Sequence, residues 1–298
     1  MRLAFALAIL ATPLPAFAQG SGPAVGGTIF VSSDADGTDI LRVGADFDIA
    51  RWNREKYRGI RVERAHFAPG NSEVEDTDLR VYARIAEPVG EWKLAGTVGT
   101  DGDDLLGSIT AVHDVALRKE FFLEREIVET PIGLTQGLMS TYGGLAVDIP
   151  ADDLTSFTLL GGVQAFTGDN TRYHLRANAV RVVDPDNGIS IQLRARYFTD
   201  TTPREYDYYA PGEYLQLLPV VQVQRFNNGW RYRLAGGWGA LRDSDEGWRQ
   251  SRYAEARLTS PDLGGFSMEA QALYAEQPTL LGGAYSYGQF QLSARTGF

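Results

Sequence analysis

Three histidines, His66, His113 and His174, are the only side chains here whose ordinary pKa lies near neutrality, and the chain has no cysteine. None of the histidines stands at a spacing that suits a metal ion or a serine nucleophile. His113 and Ser108 come nearest to a Ser–His pair, but an odd offset along a strand points them to opposite faces. Asp34-Ala35-Asp36-Gly37 and Asp101-Gly102-Asp103-Asp104 resemble fragments of calcium loops. Both lack the alternating ligand set and the distal glutamate, and they read as hairpin turns. No catalytic residue, metal site or cofactor is therefore expected. What remains is a set of polar side chains at every second position: Arg80, Arg84, Arg172, Arg176, Arg194, Arg196, Arg231 and Arg233, with Gln222 and Gln224, and with Lys93, Arg249 and Arg257 in similar settings. Pointing into a common interior, they could hydrogen-bond sugar hydroxyls or line an anion path. They could equally pair with carboxylates and serve only to solvate or plug that interior.

The elements that would position them are strands. Tract after tract alternates apolar and polar residues with period two, as where Ile189, Ile191, Leu193, Ala195 and Tyr197 interleave with Ser190, Gln192, Arg194 and Arg196. Turn signals such as Thr167-Gly168-Asp169-Asn170, Asp184-Pro185-Asp186-Asn187-Gly188 and Asn227-Asn228-Gly229 separate the tracts. The spacing predicts sixteen strands, near 25–33, 38–50, 57–67, 77–86, 91–100, 105–114, 117–127, 142–149, 154–165, 171–183, 188–199, 213–226, 229–241, 247–259, 265–276 and 283–298. The fold class is all-β, an antiparallel transmembrane β-barrel of about sixteen strands. An even count places both ends of the sheet on the periplasmic side, so the long connections at 68–76, 128–141 and 200–212 fall outside the cell. Segment 128–141 could fold inward as a constriction. Tyr197, Trp230, Trp238, Phe266, Tyr274 and Tyr285 lie toward strand ends, as interfacial aromatic girdles would.

Residues 1–18 read as a secretory signal, with Arg2, the apolar run Leu3 to Ala11 and the small-x-small site Ala16-Phe17-Ala18. One barrel domain is expected over 19–298. Removal of Arg2 takes one of the 28 basic residues and none of the 38 acidic ones, leaving a mature charge of about −11. Nucleic acid is then an unsuitable partner, because phosphate binding needs a basic footprint. Phe290, Leu292, Ala294, Thr296 and Phe298 alternate to the last residue. This resembles the terminal signature read by the outer-membrane barrel assembly machinery, with Phe290, Leu292 and Phe298 as its apolar positions. Localisation in the bacterial outer membrane and contact with its lipid follow.

Tyr208-Tyr209-Ala210-Pro211, followed by Tyr214 and Pro219, resembles a motif in the barrel domain of exopolysaccharide export proteins, the family of the outer-membrane component of cellulose synthase and the poly-N-acetylglucosamine porin. Upstream, Arg125-Glu126-Ile127-Val128, Tyr142-Gly143-Gly144 and Gly161-Gly162-Val163 are similar to the segment preceding the motif. The resemblance covers roughly residues 120–298. It implies a sixteen-stranded barrel whose lumen passes a nascent polysaccharide, without making or breaking a bond. Tyr209 and Ala210 stand where the family often has Phe and Ser. The long periplasmic helical-repeat region of that family has no counterpart in this sequence, so either a separate helical-repeat protein supplies it, beside an inner-membrane glycosyltransferase complex, or this protein has left the export role. A diffusion porin preferring anions is the main alternative. An outer-membrane hydrolase, or an adhesive barrel contacting through loop tips such as Asp200 to Tyr209, is further from the pattern.

Overall fold

The computed structural model describes residues 22–35, 37–70, 73–115, 117–278 and 284–298. The expected signal segment and the cleavage site before Gln19 lie outside the described residues. Alternation of apolar and polar side chains dictates a sheet with two chemically different faces, and the chain forms one. Its strands are β1 (Gly22–Asp34), β2 (Asp39–Arg51), β3 (Tyr57–Ala68), β4 (Asp76–Val89), β5 (Trp92–Thr100), β6 (Leu105–His113), β7 (Arg118–Ile127) and β8 (Met139–Asp152). They continue with β9 (Thr155–Phe166), β10 (Thr171–Asp184), β11 (Ile189–Asp200), β12 (Glu213–Asn227), β13 (Trp230–Asp243), β14 (Arg249–Thr259), β15 (Phe266–Pro278) and β16 (Ala284–Gly297). One short helix, α1 (Pro131–Gln136), lies between β7 and β8.

Each strand pairs with the next, and β16 returns to β1, so the sheet is a closed antiparallel barrel. The closing ladder runs from Ala24 opposite Gly297 to Asp34 opposite Tyr287. Closure leaves no free strand edge, which is the condition for a sheet to stand in hydrocarbon. Asn228 and Gly229, both with positive φ (49° and 79°), form a two-residue loop between β12 and β13. That is the hairpin expected of Asn-Gly, because its twist matches that of the flanking strands. Register shifts fall at Gly22/Ala24, Asp48/Ala50, Pro150/Asp152 and Val182/Asp184, all at the rim that holds the first residue of β1. Within β12 the pairing with β13 lapses between Leu217 and Val220, where Pro219 has no N–H to donate.

The two faces separate as the alternation requires. Leu79, Val98, Ile109, Leu175, Leu193 and Leu234 each expose half or more of their surface on the outside of the barrel. So broad an apolar exterior on an isolated chain is stable only when lipid covers it. Tyr197 faces outward between Leu175 and Leu215, and Trp238 and Tyr274 are exposed on the outer face near the opposite rim from Trp230 and Phe266. These positions satisfy the expected girdles; the side chain of Tyr285 lies outside the described residues. Phe290 and Leu292 also face outward, opposite Val31 and Ile29 on β1.

Connections at the β1-start rim are short, whereas 69–75, 128–138 and 201–212 all lie at the other rim, as expected for the cell exterior. A charge placed on the lipid face has no such escape. Leu193→Arg is expected to destabilise the barrel refolded into lipid vesicles by about 2–4 kcal/mol, and Gln224→Arg on the inner face by less than about 0.5 kcal/mol. Urea titrations of both variants check this.

Candidate functional site

The inner face is electrostatically uneven around its circumference. On β1–β4 and β16, acids and bases are interleaved. Asp46 lies 2.5 Å from both Arg84 and Arg295 and 3.7 Å from Arg61. Asp48, fully buried, lies 2.9 Å from Arg51. Arg233 is held by Glu255 at 2.6 Å, Arg249 by Asp243 at 2.5 Å, and Arg257 by Glu269. Arg80 lies 3.3 Å from Glu129, and for these residues, Arg80, Arg84 and Arg233 among them, the inner-wall charges do pair with one another. Gln222 accepts a hydrogen bond from Gln192 at 3.2 Å. Arg231 and Gln224 face inward close to the periplasmic rim, Arg231 donating to Thr259 at 3.4 Å. Lys93 sits at that same rim between Glu55 and Asp114.

The wall formed by β7–β12 is different. A chain of aromatic rings runs around it: Phe122 and Tyr142 with centroids 4.9 Å apart, Tyr142 and His174 at 4.7 Å, His174 and Phe198 at 5.7 Å, Phe198 and Tyr214 stacked at 4.5 Å. Two glycines make room for it. A Cβ on Gly144 would meet the Phe122 ring at 2.6 Å, and one on Gly162 would meet the Tyr142 ring at 2.8 Å. The Gly-Gly pairs noticed in the sequence thus let rings lie flat on the neighbouring strand. Arginines cover the same rings: the Arg172 guanidinium is 4.5 Å from the Phe198 centroid and 5.3 Å from that of Phe166, and Arg196 is 5.3 Å from Phe198 and 5.7 Å from Tyr214. Arg172 is also paired with Asp200 at 3.0 Å. A cavity of about 230 Å³ opens among Gln164, Phe166, Arg172, Arg196, Phe198, Tyr208, Tyr209 and Tyr214.

The Tyr208 to Tyr214 motif builds one side of this cavity. Tyr208 stacks on Phe166 at 4.3 Å, and its hydroxyl accepts from Asn170 at 3.1 Å. Asn170 is itself buried and donates to Asp200 at 2.8 Å. The Tyr209 hydroxyl donates to Asp243 at 2.6 Å, and the Tyr209 carbonyl accepts from Arg172. Burial pushes the Tyr208 hydroxyl up to about 12, and burial with the Asp243 carboxylate raises that of Tyr209 further, so both stay protonated as donors. Ala210 and Pro211, the next two residues, are buried. Pro219 departs from the group: it faces lipid, beside Leu193 and Trp238 in an outer hollow.

Segment 128–138 does fold inward. Glu129 reaches across to Arg42 on β2 at 2.5 Å and to Arg80 on β4 at 3.3 Å. From the opposite wall Asp207, in the β11–β12 loop, accepts from the Thr130 hydroxyl at 2.6 Å and from the Ile132 N–H at 2.7 Å. Thr130 caps α1 by accepting from the Gly133 N–H at 3.0 Å, and Pro131 stands in the first turn, where its missing N–H costs nothing. The segment is therefore a strap tied to opposite walls of the exterior mouth.

Ser108 and His113 form no pair: Ser108 faces inward against Thr97 at 3.1 Å, while His113 faces outward against Trp92. Asp101 accepts from the N–H groups of Asp103 and Asp104, as a turn aspartate does.

Fold and faces together define a closed sixteen-stranded β-barrel of the bacterial outer membrane. The sequence matches no protein-family model and no curated protein. The structure is similar to that of a bacterial polysaccharide outer-membrane secretin, with a TM-score of 0.71, 10% identity, and coverage of 94% of this chain and 99% of that one. Pseudomonas aeruginosa OprD (TM-score 0.47, 7% identity, 95% and 97% covered) and Vibrio cholerae OmpT (0.47, 10%, 92% and 97%) are more distant in shape. The barrel implied by the motif resemblance is thus present, down to the number of strands.

Asp207 is the strap's anchor to the β11–β12 loop. Asp207→Ala removes charge-assisted hydrogen bonds worth roughly 1.5–3 kcal/mol each. The expected result is faster proteolytic nicking within 129–138 and a larger open-channel conductance, with an unchanged melting transition of the barrel.

Proposed function

We propose that this barrel passes a glycan chain across the outer membrane. The observation that carries the proposal is the aromatic and arginine wall of β7–β12, where the partly exposed Tyr142 and Arg196 stand toward the lumen over the buried, stacked rings of Phe198 and Tyr214. Sugar rings have apolar C–H faces and a rim of hydroxyls. A wall of flat rings and hydrogen-bonding groups complements both, and repeated weak contacts let a polymer slide. The motif at Tyr208 to Tyr214 forms part of that wall, and the polysaccharide secretin of similar fold supports the same reading. A periplasmic helical-repeat protein and an inner-membrane glycosyltransferase complex are the partners such export would need. Assembly through Phe290, Leu292 and Phe298, and cleavage of a signal before Gln19, belong to the same proposal.

A second reading, a diffusion porin preferring anions, is favoured by the strap folded across the mouth. The mature protein in a planar bilayer separates the two. Oligosaccharides added to one side are expected to interrupt the current of the export porin in discrete events, and disruption of the gene to reduce secreted polysaccharide. An open anion-preferring channel indifferent to every oligosaccharide would favour the diffusion porin instead.

A further inference from the structure

Arg176 and Arg196 are cross-strand partners on β10 and β11, and Arg194, one inner position further along β11, lies opposite Asn178. Like charges set directly opposite each other in a sheet are destabilising, and folded proteins ordinarily interleave a carboxylate. Here none is supplied. Among the described residues Arg176, Arg194 and Arg196 form no ion pair with any carboxylate, although the chain has 38 acidic residues to its 28 basic ones. Arg194 instead donates to the amide oxygen of Gln192 and lies over the Tyr253 ring at 4.7 Å. The contrast with the ion-paired arginines of β4, β13 and β14 is one of placement, since acids are abundant elsewhere on the same inner face.

A second observation converges on this wall. The Nε atoms of Arg176 and Arg196, the Tyr142 hydroxyl, the His174 Nδ1 and the Asn178 Oδ1 are all buried without a hydrogen-bond partner. Other arginines with a buried, unpartnered Nε, such as Arg42, Arg80 and Arg233, have terminal nitrogens paired with carboxylates. Buried polar groups unmatched within the protein are met by water or by a ligand. On the β2–β4 wall those of Asp46, Asp48 and Arg84 belong to side chains already engaged in ion pairs, whereas Arg176 and Arg196 have no such pair. The His174 Nε2 faces the Gln164 Oε1 at 3.1 Å, which leaves Nδ1 as an acceptor. The group therefore offers guanidinium donors for an anion next to acceptors for hydroxyl protons, with the 230 Å³ cavity adjoining Arg196.

We propose that this wall is a binding site for a carboxylate-bearing sugar ring. The guanidiniums of Arg176 and Arg196, with Arg194 beyond, take the carboxylate. Tyr142, His174 and Asn178 take hydroxyl protons. The inference rests on the reading of the lumen as a glycan path, and it names the class of glycan as acidic. The same chemistry is shared by a uronate residue within a polymer and by a free sugar acid.

The test is current block in planar bilayers by three probes: a galacturonate hexamer, galacturonate monomer and cellohexaose. The wild-type barrel is expected to be blocked by the acidic hexamer at a concentration at least tenfold below that for the neutral one. Arg176→Gln/Arg196→Gln is expected to abolish that difference and reduce anion preference, while Arg196→Lys retains most of it. Heat-modifiable mobility on gels establishes that each variant is folded, and relief of the like-charge pair should raise the urea midpoint of the double variant. A monomer that blocks as well as the acidic hexamer supports the site and identifies free sugar acids as its ligand. Equal block by both hexamers, unaltered in the double variant, would overturn the acidic site and leave glycan export standing. Absence of block by any probe, with unchanged ion selectivity in the double variant, would overturn both.

Discussion

A strand in hydrocarbon has no water to satisfy its backbone, and the ladder between β1 and β16 is the contact on which everything else here depends. Without it the sheet would present two open edges to lipid, each a row of unmatched N–H and C=O groups. Closure is reinforced from within. Arg295 on β16 reaches past β1 to Asp46 on β2, and Asp46 also binds Arg84 on β4, so one buried carboxylate ties the seam to the body of the sheet. Once the circle is closed, the pleat decides the chemistry of both faces. A one-residue slip anywhere would turn Leu193 into the lumen and Arg194 into lipid, which fixes the register with no need of further specificity.

That fixed register is what allows the inner wall to be asymmetric. On the β1–β4 side the side chains act as struts: alternating acids and bases cross from strand to strand and leave little charge unmatched. On the β10–β11 side three guanidiniums stand without carboxylates beside flat rings. Setting like charges opposite each other costs about 0.2–1 kcal/mol per pair relative to a neutral pair. The barrel carries that cost because its stability comes from the ladder and the lipid-facing band, neither of which involves those side chains. Sites that bind are commonly built in this way, with local destabilisation borne by a scaffold that does not depend on them.

Much of the architecture was legible in the sequence because turns and alternation are local. Asn228-Gly229 and Asp184 to Gly188 mark hairpins by residues that adopt the required φ or accept a turn N–H, and the strand spans follow within a few residues. Where alternation fails, so does the reading. Leu217-Leu218-Pro219-Val220-Val221 is apolar throughout, and only the structure shows that Leu218 and Val220 face inward as a small cluster with Ala235 while Pro219 faces lipid. The aromatic chain was not visible because its members are single residues spread over β7, β8, β10, β11 and β12. Each looks like an ordinary inner aromatic until the register sets them side by side. Helix α1 had a local signature in Thr130-Pro131, but β8 begins at Met139, earlier than the pattern suggests. The Glu129 and Asp207 contacts that turn its loop into a strap span 87 and 75 to 77 residues of sequence.

The β11–β12 loop serves two structures at once. Asp207 holds the strap while the next two residues, Tyr208 and Tyr209, wall the cavity beside Arg172 and Arg196. Glu205 accepts the N–H groups of Asp169 and Asn170, and Arg204 reaches Asp245 at 2.6 Å, so the loop is fastened to both neighbouring hairpins. Its backbone is pinned too, for Arg204 has a φ of 59° and its N–H donates to the Ala210 carbonyl at 2.9 Å. Asp207 cannot shift far from the strap while Tyr208 remains stacked on Phe166 and Tyr209 bound to Asp243. The mouth and the inner wall are therefore one mechanical unit, built on strands that stay in place because the ladder beneath them is closed.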